Sequence, residues 1–148
     1  MLERATGLRQ YAELGVALDA LVSADLLGSI FLPYAPLHDG AAFVQGGRVV
    51  AAGCFLPLSR NIHLTRALGT RHRAALGITE ETDAVAVVVS EETGAISVAV
   101  EGQLESPPDG EALRHRLTSL LRGGLAPADR AASRSGVRRW LPRTHDNV

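Results

Sequence analysis

The sequence predicts a single α/β (α+β) domain, a central mixed β-sheet flanked by helices. Three observations carry that expectation. The chain has 148 residues, 46% of them hydrophobic, which provides for one core and little more. Helical and strand-like apolar patterns follow one another along it. Two pairs of strand-like runs are joined by short turn sequences, Gly46-Gly47 and Ser90-Glu91-Glu92-Thr93-Gly94, as hairpins require.

Residues 2–14 read as an amphipathic helix, with Leu8, Tyr11, Ala12 and Leu14 at helical spacing and Gly15 as a stop. A second helix is expected from the N-cap Ser23 to Ile30. It ends before Pro33 and Pro36, because proline disfavours helix in the residue that precedes it. Residues 42–45 and 48–55 are strand-like, and Gly46-Gly47 suits a two-residue turn with positive φ. Residues 57–68 look irregular. Thr70 is placed as the N-cap of a helix over residues 71–76, stopped by Gly77. Residues 84–89 and 95–100 are apolar at nearly every position, so they are expected as central strands covered on both faces. After Pro107-Pro108 a helix is expected over residues 109–121. No internal repeat is evident. The domain is therefore drawn as residues 1–121, with 122–148 as an Arg-rich tail holding Arg122, Arg130, Arg134, Arg138, Arg139 and Arg143.

Composition excludes several chemistries. The formal charge is −1 and every basic residue is Arg. Without Lys there is no Walker-type phosphate loop, Schiff-base lysine or Ser-Lys dyad. The single cysteine, Cys54, forms no internal disulfide, and no Cys/His ladder exists for structural zinc. No apolar run approaches the roughly 18–20 residues that span a bilayer, and Glu3, Arg4, Arg9, Glu13 and Asp19 break up any secretory core. A soluble, cytoplasmic protein is expected from the chain as written.

Three segments stand out chemically. In Gly69-Thr70-Arg71-His72-Arg73 the cations lie in the first turn of a helix, against a macrodipole that prefers negative charge there by about 0.3–1 kcal/mol per group. An anion among them resolves the conflict, and guanidinium forks match phosphate oxygens; an exposed basic turn is the plainer alternative. In His38-Asp39-Gly40-Ala41 a carboxylate is followed by two small residues, which suits a metal ligand or proton acceptor with a ligand close to the backbone, or simply an Asp-Gly turn. Ser90-Glu91-Glu92-Thr93-Gly94 leaves the end of an apparently buried strand, where a serine can bind phosphate and a glutamate a metal; an acidic hairpin loop has the same composition. Cys54, Phe55 and Leu56 read as core from their apolar surroundings, and Trp140 as an anchor for the tail.

Together and in this order these segments resemble the diadenylate cyclase (DAC) family, which makes cyclic di-AMP from two ATP. The matching text is Leu37-His38-Asp39-Gly40-Ala41, Gly53-Cys54-Phe55-Leu56-Pro57-Leu58-Ser59, Leu68-Gly69-Thr70-Arg71-His72-Arg73 continuing to Ile78, and Val89-Ser90-Glu91-Glu92-Thr93-Gly94. The resemblance covers about residues 3–105 and is greatest to the membrane-anchored class, in which transmembrane helices precede the domain. None is present in this sequence, and excision from such a protein is the favoured reading; an anchored parent would lie on the cytoplasmic face of the membrane. The resemblance implies that Asp39 binds a divalent metal (Mg²⁺ or Mn²⁺) and activates the attacking 3′-hydroxyl, with His38 as a further metal contact. Gly40 and Ala41 would approach ribose and phosphate with their backbone. Phe55 would lie on the adenine, where the family often has Tyr, and Leu56 would read its edge. Gly69, Thr70, Arg71, His72 and Arg73 would bind phosphates, the last three as catalytic groups; Ser90 would contact phosphate and Glu92 the metal.

With one copy of each motif, one chain holds one ATP, so a face-to-face homodimer or higher oligomer is expected. The alternative within the same fold is a silent sensor of ATP or cyclic di-AMP. A nucleic-acid-binding role for the Arg-rich tail would leave all three segments unexplained, and no nucleic acid is expected as partner.

Overall fold

In the computed structural model, which describes residues 7–61, 63 and 67–123, the strands pair into two antiparallel units. The first contains β1 (Val16–Leu21), β2 (Ala41–Gln45) and β3 (Arg48–Cys54) in the order β1-β3-β2. The second contains β4 (Val85–Val89), β5 (Ile96–Val100) and β6 (Gln103–Glu105) in sequence order. Four helices accompany them: α1 (Arg9–Ala12), α2 (Ala24–Ile30), α3 (Thr70–Glu81) and α4 (Gly110–Gly123). The α+β class is as expected. The single mixed sheet is replaced by two three-stranded antiparallel sheets among the described residues, because each unit is built around a tight hairpin.

Both sheets are covered on both faces, following the two-residue alternation of side chains along a strand. In the first, Ala42, Val44, Val49 and Ala52 pack with Ile30, Leu26 and Leu27 of α2, while Phe43, Ala51 and Cys54 face Tyr11 and Ala12 of α1. In the second, Ala86, Val88 and Ala99 meet Ala75, Leu76 and Ile78 of α3, while Val85, Val98 and Val100 meet Leu113, Leu117 and Leu120 of α4. Leu8, Tyr11 and Leu56 touch both inner clusters and join the two units. Arg116 on α4 donates two 2.6 Å hydrogen bonds to Glu105 and pins β6 to that helix.

Several local expectations hold. Ser23 caps α2 by accepting the Leu26 N–H at 3.1 Å. Gly46 and Gly47 have φ of 56° and 74°, as a two-residue hairpin turn with primed geometry needs. Others are corrected. The helix expected over residues 2–14 is only α1 within the described residues, and residues 1–6 lie outside them. β1 was not anticipated: it is an exposed edge strand that pairs only with β3, so it lacks a buried alternation. The short β6 was likewise unanticipated.

The third helix runs four residues past the expected stop, to Glu81, with Gly77 buried in its interior. A Cβ at Gly77 would collide with the Pro57 carbonyl and lie 2.8 Å from Ser59 N, so glycine is there to admit the 57–59 backbone. An interior glycine costs a helix about 1 kcal/mol, less than the ~1.5–3 kcal/mol gained by burying either fully enclosed neighbour, Leu76 or Ile78. α4 extends through Gly123, two residues past the boundary drawn at 121. The rest of the tail, with Trp140, lies outside the described residues.

Candidate functional site

The residues that position Asp39 are glycines. Gly40 has φ 144° and packs against backbone: a Cβ there would lie 2.7 Å from the Gly53 carbonyl carbon and 2.9 Å from Cys54 N. Gly53 itself has φ 66°. The Asp39 loop is thereby pressed onto the end of β3, where Ala41 pairs with Cys54. The Asp39 side chain is 81% exposed, and Phe55, which follows the end of β3, is 70% exposed. Phe55 is thus not a core residue as its apolar surroundings implied. Leu56 is half-buried and its side chain packs into both inner clusters. Cys54 is buried as expected, and burial pushes its thiol above the usual range.

His38 and Asp39 form a pair. His38 Nδ1 lies 2.6 Å from the Ala35 carbonyl oxygen, so that nitrogen carries the proton and donates it. His38 Nε2 stands 3.3 Å from Asp39 Oδ1. The two atoms stand close enough to act together as donors to one cation. No group of three or more His, Cys, Asp or Glu side chains converges as a metal cage among the described residues. Two protein donors nonetheless fit Mg²⁺ or Mn²⁺, which take waters and substrate phosphates for the rest of their shell.

From β3 the chain crosses to α3. Ser59 N–H donates to the Arg73 carbonyl at 2.9 Å, and Ser59 Oγ donates to Glu80 at 2.6 Å. Those bonds and the Gly77 contact fix the register between the 55–59 segment and the first turn of α3. Gly69, in extended conformation, is the N-cap, and Thr70 is the first helical residue rather than the cap. Gly69 has no side chain to cap this end, and the first backbone N–H groups of α3 have no intrahelical partners. Arg71, His72 and Arg73 are all half-buried. Burial pushes the His72 imidazole below its ordinary value, which favours its neutral form. Arg73 Nε is buried with no hydrogen-bond partner among the described residues. Such an orphaned donor costs about 1–3 kcal/mol until an acceptor arrives.

The third segment is the β4–β5 turn. Ser90 N–H donates to the Ala95 carbonyl at 2.9 Å, and Ser90 Oγ accepts the Thr93 N–H at 3.3 Å, leaving the hydroxyl hydrogen available to a ligand. Glu92 is exposed on this turn. The neighbouring Glu91 reaches across to α3, its Oε1 2.5 Å from Arg71 Nη2. That contact brings the Ser90–Glu92 turn to the Thr70–Arg73 helix end. Sequence reasoning gave no role to Glu91, or to Ser59 as the tether of α3; only the charge opposite Arg71 could have hinted at the first. The Asp39 loop packs on Gly53 and Cys54, and the chain running on from them is bonded at Ser59 to Arg73 of α3. The candidate groups are a carboxylate–imidazole pair, an exposed aromatic ring, and a helix end rich in donors for an anion.

Known proteins share this arrangement of sequence and fold. The chain matches the DAC family model, described as DisA bacterial checkpoint controller nucleotide-binding, over residues 1–104. It is 49% identical over 116 residues to a cyclic di-AMP synthase, CdaA, of Bacillus subtilis, covering 78% of this chain and 42% of that protein. It is 52% identical over 86 residues to a diadenylate cyclase of Listeria monocytogenes, covering 58% of this chain and 32% of that one. The chain therefore spans less than half the length of these two relatives. A crystal structure of a DacA double mutant from Staphylococcus aureus superposes with a TM-score of 0.76 at 46% identity, over 83% of this chain and 81% of that one. No helix among the described residues is long and apolar enough to cross a membrane.

Proposed function

The chain belongs to the DAC family of nucleotide-binding domains, and from that premise we propose that it is the catalytic domain of a diadenylate cyclase. Two ATP are condensed into cyclic di-AMP. Each 3′-oxygen attacks the other nucleotide's α-phosphorus, the bond from that phosphorus to the β-phosphate bridging oxygen breaks, and two pyrophosphates leave. The hydroxyl proton passes to the Asp39 carboxylate and on to water. Such phosphoryl chemistry needs alignment and charge neutralisation more than a covalent nucleophile, which suits a site without lysine or a reactive cysteine.

The observation that carries this reading is the first turn of α3. It sets two guanidinium groups where the helix dipole is already positive, and one of them holds a buried N–H with no acceptor among the described residues. A triphosphate satisfies both. In this reading Gly69, Thr70, Arg71, His72, Arg73 and Ser90 hold the phosphates, Gly40 and Ala41 line the ribose, and Phe55 and Leu56 receive the adenine. His38, Asp39 and Glu92 would hold a divalent metal; when bound, that metal would neutralise phosphate charge and favour the attacking alkoxide. One chain supplies one such set, so the second ATP comes on a second chain facing the first.

Incubating the protein with ATP and Mn²⁺ or Mg²⁺ and analysing the products by mass spectrometry tests the proposal. Cyclic di-AMP with pyrophosphate is the expected outcome. ATP that binds yet returns unchanged would instead mark a sensor of the same fold.

A further inference from the structure

We infer that Glu91 is a positioning residue that presents Arg71 to the triphosphate; the inference rests on the nucleotide-binding reading above. The Arg71–Glu91 pair links the two segments assigned to phosphate, α3 and the β4–β5 turn. Its relatives among the described residues do other work: Arg9–Glu13 is a one-turn helix pair, Arg48–Asp19 ties β1 to β3, and Arg116–Glu105 ties α4 to β6. Arg71 occupies the second position of α3, where the dipole repels a cation and gives the side chain no reason to stay. The Glu91 carboxylate supplies that reason. Its contact runs through Nη2, and a guanidinium has five N–H donors in a planar fork, so an edge is left for phosphate oxygens.

Holding a long side chain in place before the ligand arrives lowers the entropic cost of binding. The gain applies to ground state and transition state alike, so it belongs in KM rather than kcat. The same bond holds the turn that carries Ser90 against the helix end. A competing description treats Glu91 as a built-in rival anion that nucleotide must displace; it predicts the opposite sign.

The test is steady-state cyclic di-AMP synthesis by the wild type, Glu91→Gln, Arg71→Ala and the double variant, with thermal unfolding of each. The pair is partly exposed, so the effect is modest. Glu91→Gln is expected to raise KM for ATP about three- to fivefold, with kcat within about twofold and the unfolding midpoint unmoved. In the Arg71→Ala background the same substitution is expected to add nothing, because its effect passes through Arg71. An unchanged or lowered KM, or an equal rise in both backgrounds, would overturn the assignment while leaving the cyclase reading intact. A wild type that neither binds nor converts ATP would remove the cyclase reading itself, and this role with it.

Discussion

The two hairpins serve the site from opposite ends. β2–β3 contributes its open end, where Asp39-Gly40 enters and Phe55 leaves, and its Gly46-Gly47 tip has open space around it. β4–β5 contributes its tip, which carries Ser90 and Glu92 and is bound to α3 through Glu91 and Arg71. The turn that carries candidate site residues is the one bound to a helix, not the one with the strongest turn signal. The clearest turn signal in the chain, Gly46-Gly47, carries none of the proposed site residues.

Breaking the open end chemically has the largest effect. Asp39→Asn is expected to lower turnover about 10³-fold, in the range of a lost general base, with the fold and ATP binding kept, because the side chain is exposed and its shape is preserved. Turnover measured beside ATP titration checks this; activity near wild type would remove Asp39 from its role. Breaking the same end sterically comes next. Gly40→Ala combines a positive φ with contacts of 2.7–2.9 Å to backbone, and a loss of about 3 kcal/mol in stability to denaturant is expected. At the other hairpin's anchor, Arg71→Ala is expected to raise KM for ATP about tenfold, the loss of one charge-assisted contact; an unchanged KM would move Arg71 off the phosphates. The smallest effect sharpens the contrast. Gly46→Ala has the left-handed φ without the crowding, so about 1 kcal/mol or less is expected in the same denaturation assay. If Gly40→Ala were as mild as Gly46→Ala, the close approach under Asp39 would not matter.

Much of this was legible in the sequence, for local reasons. Ser23 caps its helix, Gly46-Gly47 closes its hairpin, and the apolar runs at β4 and β5 are sandwiched between α3 and α4. Each signal is satisfied within a few residues of itself or by a simple burial pattern. What stayed hidden depends on distant partners. Gly77 reads as a helix stop until Pro57 and Ser59 are seen packing on it. β1 exposes most of its residues, and the ladder with β3 defines it. The three chemical segments could be named from their residue types, but Glu91 gained a role only when its carboxylate was found beside Arg71. Phe55 shows the same limit from the other side: apolar neighbours suggested burial, and the fold leaves it uncovered.

The most direct test of the account is the rate of cyclic di-AMP formation over a dilution series, with oligomeric state measured at each concentration. Activity is expected to follow the fraction of protein that is dimeric or larger and to vanish with it. Cyclic di-AMP produced at constant specific activity by a proven monomer would contradict the claim that each chain brings one of the two nucleotides.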